Sequence, residues 1–198
     1  MEVEPCPIPP VEKKPVEPRS SPVPVEVFAV MVSVALESMR WPRRPGFTSG
    51  AFYAHFKSKA DAFRAAMGAG MRDLQQGVAS FQERYGRSWR ARFVEFYMGD
   101  RRTCDLGDSC ALQSLSADVS RADDETRALF EEIFREILDG VASGLEGRPR
   151  ARRDEAIALL ALLAGGVTLA RAVSDSALSD EIGAAVRKAA AALAHDPP

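Results

Sequence analysis

The feature that most constrains this chain is the run Ala156 to Ala170, AIALLALLAGGVTLA, in which Thr168 is the only polar side chain. A helix that is apolar all round cannot face water and must be covered on most sides. It is also too short to span a bilayer comfortably, so it reads as a helix buried among others. Periodicity elsewhere agrees. Phe63, Met67, Met71, Leu74, Val78 and Phe81 fall on one stripe, as do Phe130, Ile133, Phe134, Ile137, Leu138, Val141 and Leu145. Six helices are expected: Ser58 to about Tyr85, a shorter one carrying Trp89 to Tyr97, one within 109–120, and one from Asp123 or Asp124 to Gly147 and Pro149. Arg150 to Val173 and Leu178 to Leu193 complete them. Strand patterns are scarce, so the fold class is all-α, a helical bundle. Ser58 with Asp61 is a capping-box-like start for the first of these helices. Gly165-Gly166 leaves room for close backbone approach, and the Ala156–Ala170 helix with the last one is expected to form a homodimer seam.

Composition narrows the function classes. The chain has 198 residues, 46% hydrophobic and 27% charged, with a net charge of −2. These values fit an ordinary globular protein, and any attraction to nucleic acid must be local. The opening MEVEPCPIPP has neither a basic nor an apolar region of a secretory signal. The three cysteines, Cys6, Cys104 and Cys110, form no framework of bridges and suit a reducing cytoplasm. They read as ordinary thiols, with a redox or electrophile sensor, Cys110 foremost, as the alternative. Neither histidine, His55 or His195, follows a Glu by three as a di-metal bundle requires, and no phosphate loop or nucleophile elbow is visible. No enzyme, metal or cofactor is expected.

Eight of the 13 prolines fall at or before Pro24, so residues 1–25 are expected to form a disordered, extended tail. The informative stretch is Gly46 to Lys59, GFTSGAFYAHFKSK. Thr48 can cap a short helix, and Phe52 and Phe56 at i, i+4 bury one side of it. Thr48, Ser49, Gly50, Tyr53 and His55 are then left on or near the open side. Small and hydroxylic residues at a helix start can approach base edges, while Tyr53, His55, Lys57 and Lys59 can donate to phosphates. From Arg40 to Ala60 there are five Lys or Arg residues and no acid, a local positive patch. Aromatic-rich helix turns of this kind also occur as bundle packing with a solvated basic rim.

GFTSGAFYAHFKSKADAF closely resembles the signature of tetracycline-repressor-like (TetR) regulators: a recognition helix, a Tyr-x-His-Phe segment, and lysine-rich entry into the next helix. DSCALQSLSADVSR and GGVTLARAVSDSALSDEI look like the ligand-binding and dimerisation part of the same family, so the resemblance covers residues 46–198. It implies a dimeric repressor that reads a palindromic double-stranded DNA operator and is released by a small-molecule inducer. It also implies DNA contacts from Thr48, Ser49, Gly50, Ala51, Tyr53, His55 and Lys59. The domains expected are the tail at 1–25, a degenerate helix-turn-helix region at 26–66, and a ligand-binding and dimerisation domain at 67–198. Trp89, Phe93, Phe96, Tyr97, Phe130 and Phe134 either line the ligand pocket or are core.

The departure from the family lies upstream. The two helices that should precede and brace the recognition helix are replaced by Val23 to Pro45, VPVEVFAVMVSVALESMRWPRRP. Val27 to Met39 within it fits a helix or a strand. When the third base of each codon is read with the first two of the next, Met31-Val32 forces glycine and Trp41-Pro42 forces alanine. Permitted wobble bases then turn Val27 to Gly46 into LRRHGFGGAGVDAVAEAAG, which joins Phe47-Thr48-Ser49 in register. That string looks like the missing helix, turn and second helix, so residues up to about Pro45 read as a frameshifted translation. Taken as written, the chain reads alternatively as a ligand-binding helical dimer that has lost specific DNA binding.

Overall fold

The computed structural model describes residues 56–104 and 109–193, and all regular structure among them is helical. In chain order these are α1 (Lys59–Tyr85), a 3-10 turn (Gly86–Ser88), α2 (Trp89–Met98) and the one-turn α3 (Asp100–Thr103). Then follow α4 (Ala111–Val119), α5 (Asp124–Ser143), α6 (Pro149–Ala172) and α7 (Ser176–Ala192). The six expected helices are present, and the 3-10 turn and α3 are additions too short to leave a periodic signal. The segment Val27–Met39 and the tail lie outside the described residues.

The helices begin where side chains satisfy their free N–H groups. Ser58 Oγ accepts from Asp61 N at 3.1 Å, and Asp61 Oδ2 accepts from Lys57 N at 3.1 Å, a reciprocal cap on α1. Asp123 caps α5 through Thr126 N at 2.8 Å, and Asp175 caps α7 through Ala177 N at 3.0 Å. Pro149 was expected to end the preceding helix. It instead occupies the first turn of α6, where a missing N–H costs nothing, and α5 stops earlier, at Ser143.

α1 lies along α5, and α6 pairs with α7. The short α2 packs against α1, α6 and α7. Met67, Met71, Leu74, Val78 and Phe81 of α1 are buried together with Ile133, Ile137, Leu138 and Val141 of α5, which realises both stripes. Leu159, Leu160, Leu163 and Val167 of α6 complete this core, each contributing roughly 1.5–3 kcal/mol by burial. Gln75 Nε2 bonds Glu136 at 3.1 Å and Gln82 Nε2 bonds the Gly140 carbonyl at 2.8 Å. Residue numbers rise together on the two helices, so α1 and α5 run parallel.

The 24-residue α6 contains an 18-residue stretch with a mean hydropathy of 1.6, long and apolar enough by length and composition to cross a membrane. The helix follows the expected Arg150–Val173 span closely, and its first turns, Pro149 to Glu155, add three arginines and two acids rather than apolar length. One side of α6 is spent on the core. The other keeps Ile157 at 44% and Leu169 at 61% exposure, and α7 leaves Leu178 at 41%.

Candidate functional site

Of the residues expected to meet DNA, Thr48, Ser49, Gly50, Ala51, Tyr53 and His55 lie outside the described residues. Lys57 and Lys59 are described and both are exposed. The reciprocal Ser58–Asp61 cap sets the direction in which the chain enters α1, and it places both lysines at the extreme end of that helix. The domain boundary expected after residue 66 falls inside α1, so one continuous helix joins the lysine-bearing end to the bundle core.

That end of α1 is held by charge. Arg64 Nε donates to Thr126 Oγ1 at 3.1 Å and Nη2 donates to Asp123 Oδ1 at 3.2 Å, while Nη1 lies 3.0 Å from Glu125 Oε1. The Asp123 carboxyl is held below its ordinary value, chiefly by the Thr126 backbone N–H, then by the Thr126 side chain and by Arg64, with burial opposing. Sequence reading identified Asp123 only as a helix start. Nothing in the sequence pairs it with an arginine 59 positions earlier.

The six aromatic candidates separate into two groups. Trp89, Phe93 and Tyr97 are buried and Phe96 is partly buried. Phe93 contacts Trp89 at 6.2 Å and Tyr97 at 5.5 Å between ring centroids, while Phe81 meets Phe93 edge-on at 5.5 Å and Phe96 at 5.4 Å. Trp89 Nε1 donates to the Gly144 carbonyl at 2.8 Å, tying α2 to the end of α5. Phe130 and Phe134 stack on each other at 5.7 Å on α5. Phe130 also lines an open groove of about 470 Å³ between α4 and the start of α5, with Ser116, Val119, Ser120, Asp124, Arg127, Ala128 and Glu131. Sequence periodicity could not single out this groove, because its serines and charges are ordinary residues of solvent-facing helix.

Cys104 is buried and Cys110 partly buried. Arg171 Nη2 donates to the Cys104 carbonyl at 2.7 Å. Among the described residues no group of three or more His, Cys, Asp or Glu side chains is placed to hold a metal ion.

No family model and no curated protein matches the chain. Solved structures do. A TetR-family transcriptional regulator from Agrobacterium tumefaciens aligns with a TM-score of 0.64 at 14% identity, over 83% of this chain and 96% of that one. The reduced form of E. coli NemR aligns with a TM-score of 0.58 at 17% identity, over 83% of this chain and 95% of that one. At such identities the likeness concerns architecture, and the architecture of this chain is the TetR-like all-α fold.

Proposed function

We propose that the chain is a dimeric, ligand-responsive DNA-binding regulator, acting in the cytoplasm as a repressor that a small molecule releases, and not an enzyme. The observation that carries the reading is the joining of two features at one point. The Gly46–Lys59 signature runs directly into the capped start of α1, and α1 is the helix that enters a TetR-like bundle. Thr48, Ser49, Gly50, Ala51, Tyr53 and His55 are then the base- and phosphate-contacting residues, with Lys57 and Lys59 on the backbone. The exposed Ile157 and Leu169 of α6 and Leu178 of α7 support a second copy packed against these two helices, because large apolar side chains left open to water suit an interface.

The test is binding of the full chain to duplex fragments from upstream of its own gene, measured by fluorescence anisotropy across a salt series. A sequence-selective complex is expected, weakening with salt at a logarithmic slope of about −0.9 per phosphate contacted. Lys57→Ala with Lys59→Ala should reduce that slope. Absence of both selectivity and salt dependence sinks the reading. A second reading, a ligand-binding dimer without specific DNA affinity, is favoured by one observation. The residues before Gly46 do not read as the two bracing helices, and an unbraced recognition helix is not preorganised.

A further inference from the structure

We propose that Arg64 is a positioning residue, a pin through which the first turn of α5 fixes the end of α1 that carries the DNA-reading segment. The inference rests on the regulator reading above and names the regulatory contact within it.

The two halves of α1 are held differently. From Met67 onward its buried side chains are large: Met67, Met71, Leu74, Val78 and Phe81. Before Met67 the fully buried residues are Ala62 and Ala66, which carry little apolar surface, and the one large side chain there, Phe63, is only partly buried against the core. Burial therefore anchors the far half firmly and the near half weakly. Arg64 makes up the difference with three donors directed at three consecutive features of α5: its N-cap Asp123, the exposed Glu125 and the buried Thr126. Thr126 is 1% exposed, so its hydroxyl offers a contact shielded from water. The Asp123 carboxylate both caps α5 and receives the guanidinium, so α5 cannot shift its first turn without moving the arginine. A planar guanidinium held at several points fixes direction as well as distance. Because α1 and α5 run parallel, a displacement at the start of α5 acts on the lysine-bearing end of α1 and not on its far end.

The experiment is amide hydrogen exchange on the full chain in the absence of DNA. Arg64→Met keeps the apolar stem and removes the donors. Exchange over residues 59–66 should rise by about tenfold, the equivalent of one charge-assisted hydrogen bond, while 74–85 stays as protected as before. Arg64→Lys, which keeps a charge on a similar stem, should recover part of that protection; stem packing alone predicts Met to be as good as the parent. Thr126→Val added to Arg64→Met should add nothing further. Asp123→Asn retains a capping side chain while removing the charge, so it serves if Arg64→Met fails to fold, with the same pattern expected at smaller amplitude. Unchanged protection over 59–66, or a rise spread equally over 74–85, overturns the proposal. The readout needs no DNA, so failure of the DNA-binding reading in the salt series is seen separately from failure of the pin.

Discussion

At Gly166 α6 packs tightly against Val186 of α7, and replacement of this glycine by alanine gives a sharp test of that packing. A Cβ built there meets Val186 Cγ2 at 2.6 Å, Val186 Cγ1 at 3.1 Å and Met98 Cε at 3.3 Å. The methionine end can swing away, but valine in a helix is confined to essentially one rotamer, so the helices themselves must part. Alanine gains about 1 kcal/mol of helix propensity over glycine, against an overpacking cost of about 1–3 kcal/mol. Gly140 of α5 is the matched control, since a Cβ there meets nothing within 4 Å. Gly140→Ala should therefore be stabilising by up to about 1 kcal/mol, and Gly166→Ala neutral to destabilising by about 2 kcal/mol. With about 2–4 °C per kcal/mol for a chain of this size, their melting temperatures should differ by several degrees. The assay is thermal unfolding followed by far-UV circular dichroism at a single protein concentration, because association shifts the midpoint. The clash names its partner, so Val186→Ala should reverse the sign: in that background Gly166→Ala becomes favourable, with a coupling of about 1 kcal/mol or more. If Gly166→Ala stabilises as much as Gly140→Ala, or if the two α6–α7 changes simply add, the reasoning is wrong.

Other expectations follow from the same geometry. Leu169→Asp, on the exposed face of α6, should convert a dimer to monomer in sedimentation velocity while leaving the helical spectrum intact; an unchanged sedimentation coefficient would count against that face. Trp89→Phe removes the donor to the Gly144 carbonyl, and urea denaturation should show a loss of about 1–3 kcal/mol from the unpaired group and the vacated volume. The Asp123 carboxyl, followed by carbon NMR, should titrate below its ordinary value of 3.8. Its contribution to stability is then complete above 3.8 and lost as pH falls through the folded value, and Asp123→Asn should flatten that part of the acid profile. Resequencing the coding DNA from Glu26 to Gly50 should reveal a missing or extra base near Pro45; an unbroken frame would favour the ligand-binding dimer.

Much of the architecture is written in local patterns. Apolar spacing along Phe63–Phe81 and Phe130–Leu145 specified two helices and the faces they bury, because a period near 3.6 leaves one stripe to cover. Ser58 with Asp61 marked the start of α1 by chemistry acting within four residues, and the Gly46–Lys59 signature pointed to the fold that the solved structures share. What depends on partners far apart in the chain was not legible. Arg64 meets Asp123 and Thr126 across about sixty residues, and nothing in either neighbourhood announces the other. The six aromatics shared one periodic character in sequence. Only packing put Trp89, Phe93 and Tyr97 into the core and left Phe130 at the wall of a groove. Gly165 and Gly166 are identical neighbours in sequence, yet one faces open space and the other faces Val186. One residue turns the helix by about 100°, and the neighbouring helix decides which of the two glycines is confined.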